Sequence, residues 1–132
     1  MTNKKFTEVV VVALIDEKGE IFLSSRPESK VYAGYWELPG GKVERGETLK
    51  QALVRELEEE LGVIPKAFKK VGCEEFSYPH ADVRLHIFRC TRWEGTFTSK
   101  EGQKYGFFSE ANLPKPILPA TVPLLPVLIN GQ

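Results

Sequence analysis

Glu56, Glu59 and Glu60 stand at i, i+3 and i+4 in the run Arg55-Glu56-Leu57-Glu58-Glu59-Glu60-Leu61-Gly62-Val63. On a helix this spacing gathers three carboxylates on one face within about one turn. An exposed helix tolerates each such like-charge pair at a cost of about 0.2–0.5 kcal/mol, so crowding alone is compatible with a solvated acidic face. The preceding segment, Trp36-Glu37-Leu38-Pro39-Gly40-Gly41-Lys42-Val43-Glu44-Arg45-Gly46-Glu47, argues for more. Two glycines after a proline let the backbone approach closely and expose a bare carbonyl oxygen. Carbonyl and carboxylate oxygens together are the donor set of a hard divalent cation. Such a cation neutralises phosphate charge and acidifies a bound water, while a carboxylate takes the proton. Arg55, four residues before Glu59, is placed to orient these acids through charge-assisted hydrogen bonds.

The acids need a helix, and its ends are readable. Thr48 and Gln51 have capping-box spacing, and Gly62 supplies a left-handed stop, which predicts a helix over 49–61. Leu49, Leu53, Leu57 and Leu61, with Ala52 beside them, form its apolar stripe. Residues 6–15 are rich in β-branched types, and Glu17-Lys18-Gly19-Glu20 reads as a tight turn into Ile21–Ser25, a hairpin signal. Further strands are predicted at Phe68–Phe76 and Val83–Thr91, with a short one at Tyr105–Ser109. Five prolines at 114, 116, 119, 123 and 126 crowd the C-terminal quarter. Leu124, Leu125, Val127, Leu128 and Ile129 nonetheless predict a short amphipathic helix opening near Thr121, with Pro123 in its first turn. Strands bracketing one long helix and followed by a second point to an α/β fold, a mixed β-sheet with a helix on each face. With 132 residues and no visible linker or repeat, residues 1–132 are expected to form one domain.

Lys plus Arg and Asp plus Glu are 18 each. This balance argues against a nucleic-acid polymer or a membrane as partner, but a small phosphate ligand needs only a local site. No segment is long enough to span a bilayer, and the Val9–Ile15 run reads as a core strand, since it ends in Asp16-Glu17 without a cleavage site. Cys73 and Cys90 lack metal-ligand spacing and read as reduced, partly buried thiols of a cytoplasmic protein. His86, within an apolar run, is expected in a satisfied structural place. His80 lies in a loop beside Tyr78 and Pro79. Trp36 and Trp93 read as packing residues.

Gly41, Glu47, Arg55, Glu56, Leu57, Glu59, Glu60, Gly62 and Val63 occupy every fixed position of glycine-x5-glutamate-x7-Arg-Glu-apolar-x-Glu-Glu-x-Gly-apolar. The chain thus resembles the Nudix hydrolases, with the box at 41–63. The resemblance implies an α/β/α sandwich whose loop-helix-loop packs on the sheet and holds Mg²⁺, or Mn²⁺. It implies the Gly40 carbonyl, Glu59 and Glu60 as ligands, Glu56 near the metal or the attacking water, and Glu47 and Arg55 in support. From about residue 8 to 129 the likeness is to the MutT-type branch, carried by Trp36–Glu44, Arg92-Trp93-Glu94-Gly95, Lys100-Glu101-Gly102-Gln103 and Leu118–Leu124. It adds Glu101 as a further metal ligand or base, and Arg26 as a phosphate contact. The candidate substrate-binding set is Arg26, Leu38, Gly40, Gly41, Lys42, Tyr78, His80 and Thr121.

The implied activity is hydrolysis of a nucleoside triphosphate such as 8-oxo-dGTP to monophosphate and pyrophosphate, which would sanitise the nucleotide pool. The chain departs from the branch where the base would sit. Thr121 replaces an Asn or Asp, and one hydroxyl cannot make a paired amide-type contact. Tyr78-Pro79-His80-Ala81 lacks the branch's Asp-Arg pair. CTP, another pyrimidine nucleotide or another nucleoside-diphosphate-linked substrate therefore stays open, as does, from a different class, a non-catalytic nucleotide-binding module. A monomer or weak homodimer is expected.

Overall fold

The computed structural model describes residues 5–100 and 102–130. Strand β1 (Thr7–Leu14) has neighbours on both edges, which fixes much of the architecture. On one edge it pairs antiparallel with β4 (Gly40–Lys42), and on the other parallel with β6 (Ala81–Glu94), from Thr7↔Val83 to Leu14↔Cys90. β5 (Ile64–Tyr78) adds antiparallel to β6, giving a mixed sheet of order β4-β1-β6-β5. Side chains alternate across a strand, so a strand buried on both faces must be apolar throughout. Val10, Val12 and Leu14 enter one core, and Ala13 and Ile15 the other.

The expected β1/β2 hairpin is corrected here. The turn forms, with Asp16 Oδ1 accepting from the Lys18 and Glu20 backbone N–H groups at 3.0 and 2.9 Å. Yet β2 (Ile21–Ser25) touches the first strand's end only at the Ile15↔Ile21 bridge. It then becomes the centre of a second, antiparallel sheet between β3 (Trp36–Glu37) and β7 (Tyr105–Phe108). Because β4 and β6 already occupy both edges of β1, no edge remains for β2.

Helix α1 (Leu49–Leu61) begins and ends as its sequence predicts. Thr48 Oγ1 accepts from the Gln51 N–H at 3.1 Å, Gln51 Oε1 accepts from the Thr48 N–H at 2.9 Å, and Gly62 closes the helix at φ 72°. Ala52, Leu53, Leu57 and Leu61 are buried against Val10, Val12, Leu14, Phe22 and Phe88, with Leu49 at the margin. Thr48→Ala is expected to cost about 1 kcal/mol. The check is a lower denaturant midpoint at unchanged slope, and an unchanged midpoint would show that the cap contributes nothing.

On the opposite side α2 (Leu125–Asn130) buries Leu125 and Leu128 with Ile21, Leu23, Leu38, Leu85, Ile87 and Ala120. A single 3-10 turn, Val122–Leu124, precedes it, so the helix expected near Thr121 opens instead at Leu125. Pro123 and Pro126 thereby each fall in a first turn, where a missing N–H costs least. β5 and β6 run well beyond the predicted 68–76 and 83–91, because their added ends mix apolar residues such as Ile64, Ala67, Tyr78 and Trp93 with Pro65 and charged residues and give no clean alternation. Cys73 is exposed, against expectation, while Cys90 is buried and its thiol is pushed up by that burial; both are free. No helix among the described residues is long and apolar enough to cross a membrane.

Candidate active site

Arg55 is the hub of the site. Its Nε and Nη2 donate to Glu47 Oε2 and Oε1 at 2.6 and 2.9 Å, a bidentate fork. Nη1 reaches Glu56 Oε2 at 3.0 Å and Glu59 Oε1 at 3.2 Å, and Nη2 also donates to the Lys42 carbonyl at 2.9 Å. Glu44 stands 3.6 Å away. One guanidinium therefore joins the loop after β4 to the acidic face of α1, which a planar five-donor group can do and an ammonium cannot. Its own pKa rises, chiefly through the Glu47 bond, so it stays charged throughout.

The acids around it differ in environment. Glu47 is held below the usual carboxylate range, first by its bond from Arg55 and then by the Glu44 N–H. Glu56 is half-buried, and desolvation pushes its pKa up despite the Arg55 bond. The glycines explain how Glu56 gets there. A Cβ on Gly41 would fall on the Glu56 carboxyl group, and one on Gly40 would fall on the Val10 carbonyl of β1. Only a side-chain-free strand lets the helix carboxylates lie against β4. Gly40 also donates its N–H to Glu60 Oε1 at 3.3 Å, so three predicted metal-site acids, Glu56, Glu59 and Glu60, border one glycine strand and one arginine.

Among the described residues no three His, Cys, Asp or Glu side chains close around a single point as a ready metal cage. Arg55 and the Gly40 N–H occupy the acid oxygens instead. The donor set nonetheless suits a hard divalent cation: every candidate donor is an oxygen, and Glu56 is desolvated without enough positive charge to hold its pKa down. Glu101 lies outside the described residues. The segment leading to it is tied to the end of α1, with Thr98 N–H on the Leu61 carbonyl at 2.9 Å and Lys100 N–H on the Glu60 carbonyl at 3.4 Å. Sequence reasoning missed Thr98, whose position opposite α1 is a tertiary fact.

The substrate-side candidates form a second group. Arg26 pairs with Glu37 Oε1 at 2.7 Å and donates to the Val31 carbonyl at 2.7 Å. Leu38 is buried in the α2-side core, and Lys42 is exposed at the end of β4. Tyr78 accepts from the Ala120 N–H at 3.0 Å, which fixes the β5–β6 tip beside Thr121. Burial pushes the Tyr78 phenol up. His80 stacks on Tyr78 with ring centres 5.4 Å apart. Thr121 is buried, and its hydroxyl makes no helix-capping bond. Tyr32, unremarked in the sequence, approaches Tyr35, Tyr78 and His80 at 5.2, 5.5 and 6.2 Å, from φ 60°. A non-glycine residue in left-handed space has no sequence signal of its own. His86 is satisfied, between Glu8 at 2.7 Å and Lys70 at 3.0 Å. Trp36 and Trp93 pack on Phe108 and Phe107.

The chain is similar to known proteins in sequence and in fold. The NUDIX domain pattern matches residues 5–128. The chain is 39% identical over 117 residues to a CTP pyrophosphohydrolase of Escherichia coli K12, covering 88% of this chain and 87% of that one. It is also 39% identical over 99 residues to the 8-oxo-dGTP diphosphatase of the same organism, covering 75% and 77%. Among solved structures, a MutT NUDIX hydrolase from Burkholderia pseudomallei superposes with a TM-score of 0.85 at 25% identity, covering 93% of this chain and 98% of that one. Nudix enzymes generally depend on a divalent metal, in keeping with the all-oxygen donor set around Arg55. With the box residues lying where its helix and glycine strand meet, and the match running almost end to end, the chain belongs to the Nudix family.

Proposed function

We propose that this single-domain chain is a cytoplasmic, MutT-type, Mg²⁺-dependent pyrophosphohydrolase that converts a nucleoside triphosphate to its monophosphate and pyrophosphate, with Mn²⁺ an alternative metal. The observation that carries this reading is the Arg55 hub, which sets Glu47, Glu56 and Glu59 around a glycine strand. Glu56, Glu59, Glu60 and the Gly40 carbonyl would hold the cation, with Glu101 completing the set. The bound metal supplies charge neutralisation on the phosphates and a more acidic water. The chain's own part is to hold the carboxylates in place and aimed, and to line the base side with Tyr78, His80 and Thr121.

The leading substrate is 8-oxo-dGTP, supported by relatives that carry that activity in their names. A second reading, CTP or another pyrimidine nucleotide, is favoured by Thr121 and by the longer alignment with the CTP pyrophosphohydrolase. A panel of 8-oxo-dGTP, dGTP, CTP and 5-methyl-dCTP, read by pyrophosphate release and kcat/KM, separates them. If CTP wins, the pool-sanitising role fails and the hydrolase assignment stands. Glu59→Gln is expected to lower kcat about 10²-fold or more, and chelating the divalent metal to abolish turnover. Wild-type turnover in the Gln variant would sink the metal assignment, and no turnover of any triphosphate would favour a binding module.

A further inference from the structure

β5 is the outer strand of its sheet, and its charges are arranged in a self-complementary order about a bulge; Lys70 and Glu75 already meet His86 and Arg84 within the chain. The ladder to β6 runs Lys69↔Arg89 and Lys70↔Phe88, skips Val71, and resumes at Gly72↔Ile87, Cys73↔His86, Glu74↔Leu85 and Glu75↔Arg84. Phe88 belongs to the α1-side core, and Leu85 and Ile87 to the α2-side core. Lys70 and Glu75 therefore lie on the α1 face of the sheet, and Lys69 and Glu74 on the α2 face. Two lysines precede the bulge and two glutamates follow it. Among the described residues, exposed Lys69 and Glu74 have no ion-pair partner.

Lysines and a bulge on an edge strand ordinarily discourage pairing. An edge built only to repel would carry one sign of charge, whereas this one carries a self-complementary pattern. We propose that β5 is the interface of a homodimer, two copies pairing antiparallel about a two-fold axis through the Val71-Gly72 bulge. This register keeps each face on its own side and sets Lys69 directly opposite the second copy's Glu74 on the α2 face. On the α1 face Lys70 lies opposite Cys73 and diagonal to Glu75, within reach of a long side chain. Each contact occurs twice by symmetry. Beside the axis, Val71 and Val127 are 41% and 70% exposed and line an apolar groove of about 290 Å³ between β5 and α2, surface that pairing would take out of water.

Sedimentation velocity from micromolar to millimolar protein, with and without added salt, tests the pairing. The native chain should shift to dimer with concentration, less so at high salt. Lys69→Glu and Glu74→Lys should each raise the dimer Kd by about tenfold or more, and the double exchange should restore it. Direct opposition puts the Cα atoms of positions 70 and 73 about 4.5–5.5 Å apart, within disulfide reach. Lys70→Cys with native Cys73 should therefore cross-link as a dimer under mild oxidant, and Lys70→Cys combined with Cys73→Ser should not. Lys66→Cys, remote from Cys73 in this register, should stay uncross-linked. A chain that remains monomeric throughout would overturn the proposal, as would a dimer indifferent to both single charge reversals. The proposal is independent of the hydrolase reading, and turnover of Lys69→Glu is expected to match wild type.

Discussion

Arg55→Ala is expected to lower kcat by about 10²–10³-fold, and Arg55→Lys nearly as far. The guanidinium donates five hydrogen bonds, to Glu47 twice, to Glu56, to Glu59 and to the Lys42 carbonyl. Alanine leaves Glu47, Glu56 and Glu59 adjacent with nothing between them, so the carboxylates repel and turn away. Lysine returns the charge as a single point. It can neutralise one acid but cannot hold the Glu47 fork and the α1 face together, so orientation is lost while charge is kept. Measuring kcat across a Mg²⁺ titration distinguishes the two losses. A defect that saturating metal repairs is one of cation affinity, whereas a defect that persists is one of geometry. Wild-type kcat in the lysine variant would show that Arg55 acts only as a counter-charge.

The same variant has a signed pH dependence. Glu47 has its folded pKa lowered by Arg55, so the pair stabilises the fold above the unfolded glutamate pKa of about 4.3 and that contribution disappears as pH falls through the folded value. The stability difference between wild type and Arg55→Ala should therefore be largest near neutrality and shrink in acid. Equal gaps at both ends of a pH series of thermal melts would count against the Glu47 fork as its source.

What could be read in the chain and what could not divide along the range of the interactions involved. Thr48, Gln51 and Gly62 act on backbone groups three or four residues away, so the ends of α1 follow from sequence spacing. Glu56, Glu59 and Glu60 share a face for the same reason. The fate of β2 does not follow, because it depends on β6, far later in the chain, having taken the free edge of β1. Arg26 shows another limit. The resemblance offers it as a phosphate contact, and the structure gives it Glu37 and the Val31 carbonyl as partners, which no local pattern foretells. Tyr32 and Thr98 enter the site region only through the loops that carry them, and the exposure of Cys73 follows from β5 being an edge strand.

Gly40 and Gly41 are neighbours in a three-residue strand, and replacing each with alanine is expected to fail for a different reason. At Gly40, φ is 151° and an added Cβ would collide with the Val10 carbonyl and the Val11 backbone, none of which can move without parting β4 from β1. Strain and collision together should cost about 3 kcal/mol or more, since both obstacles are main-chain atoms of a buried sheet. Gly40→Ala should therefore show a large drop in Tm, and poor activity as a result of unfolding. At Gly41 the obstacle is the Glu56 carboxyl group, the end of a side chain that can swing aside. Gly41→Ala should accordingly keep most of its Tm while kcat falls about 10²-fold, because the acid that moves is one the chemistry needs. Thermal melts and turnover measured on the two variants provide the check. If Gly41→Ala loses stability as severely as Gly40→Ala, then the Glu56 carboxyl is fixed by the fold, and the glycine pair serves the sheet alone. If Gly41→Ala keeps both Tm and kcat, Glu56 need not lie against β4 for catalysis.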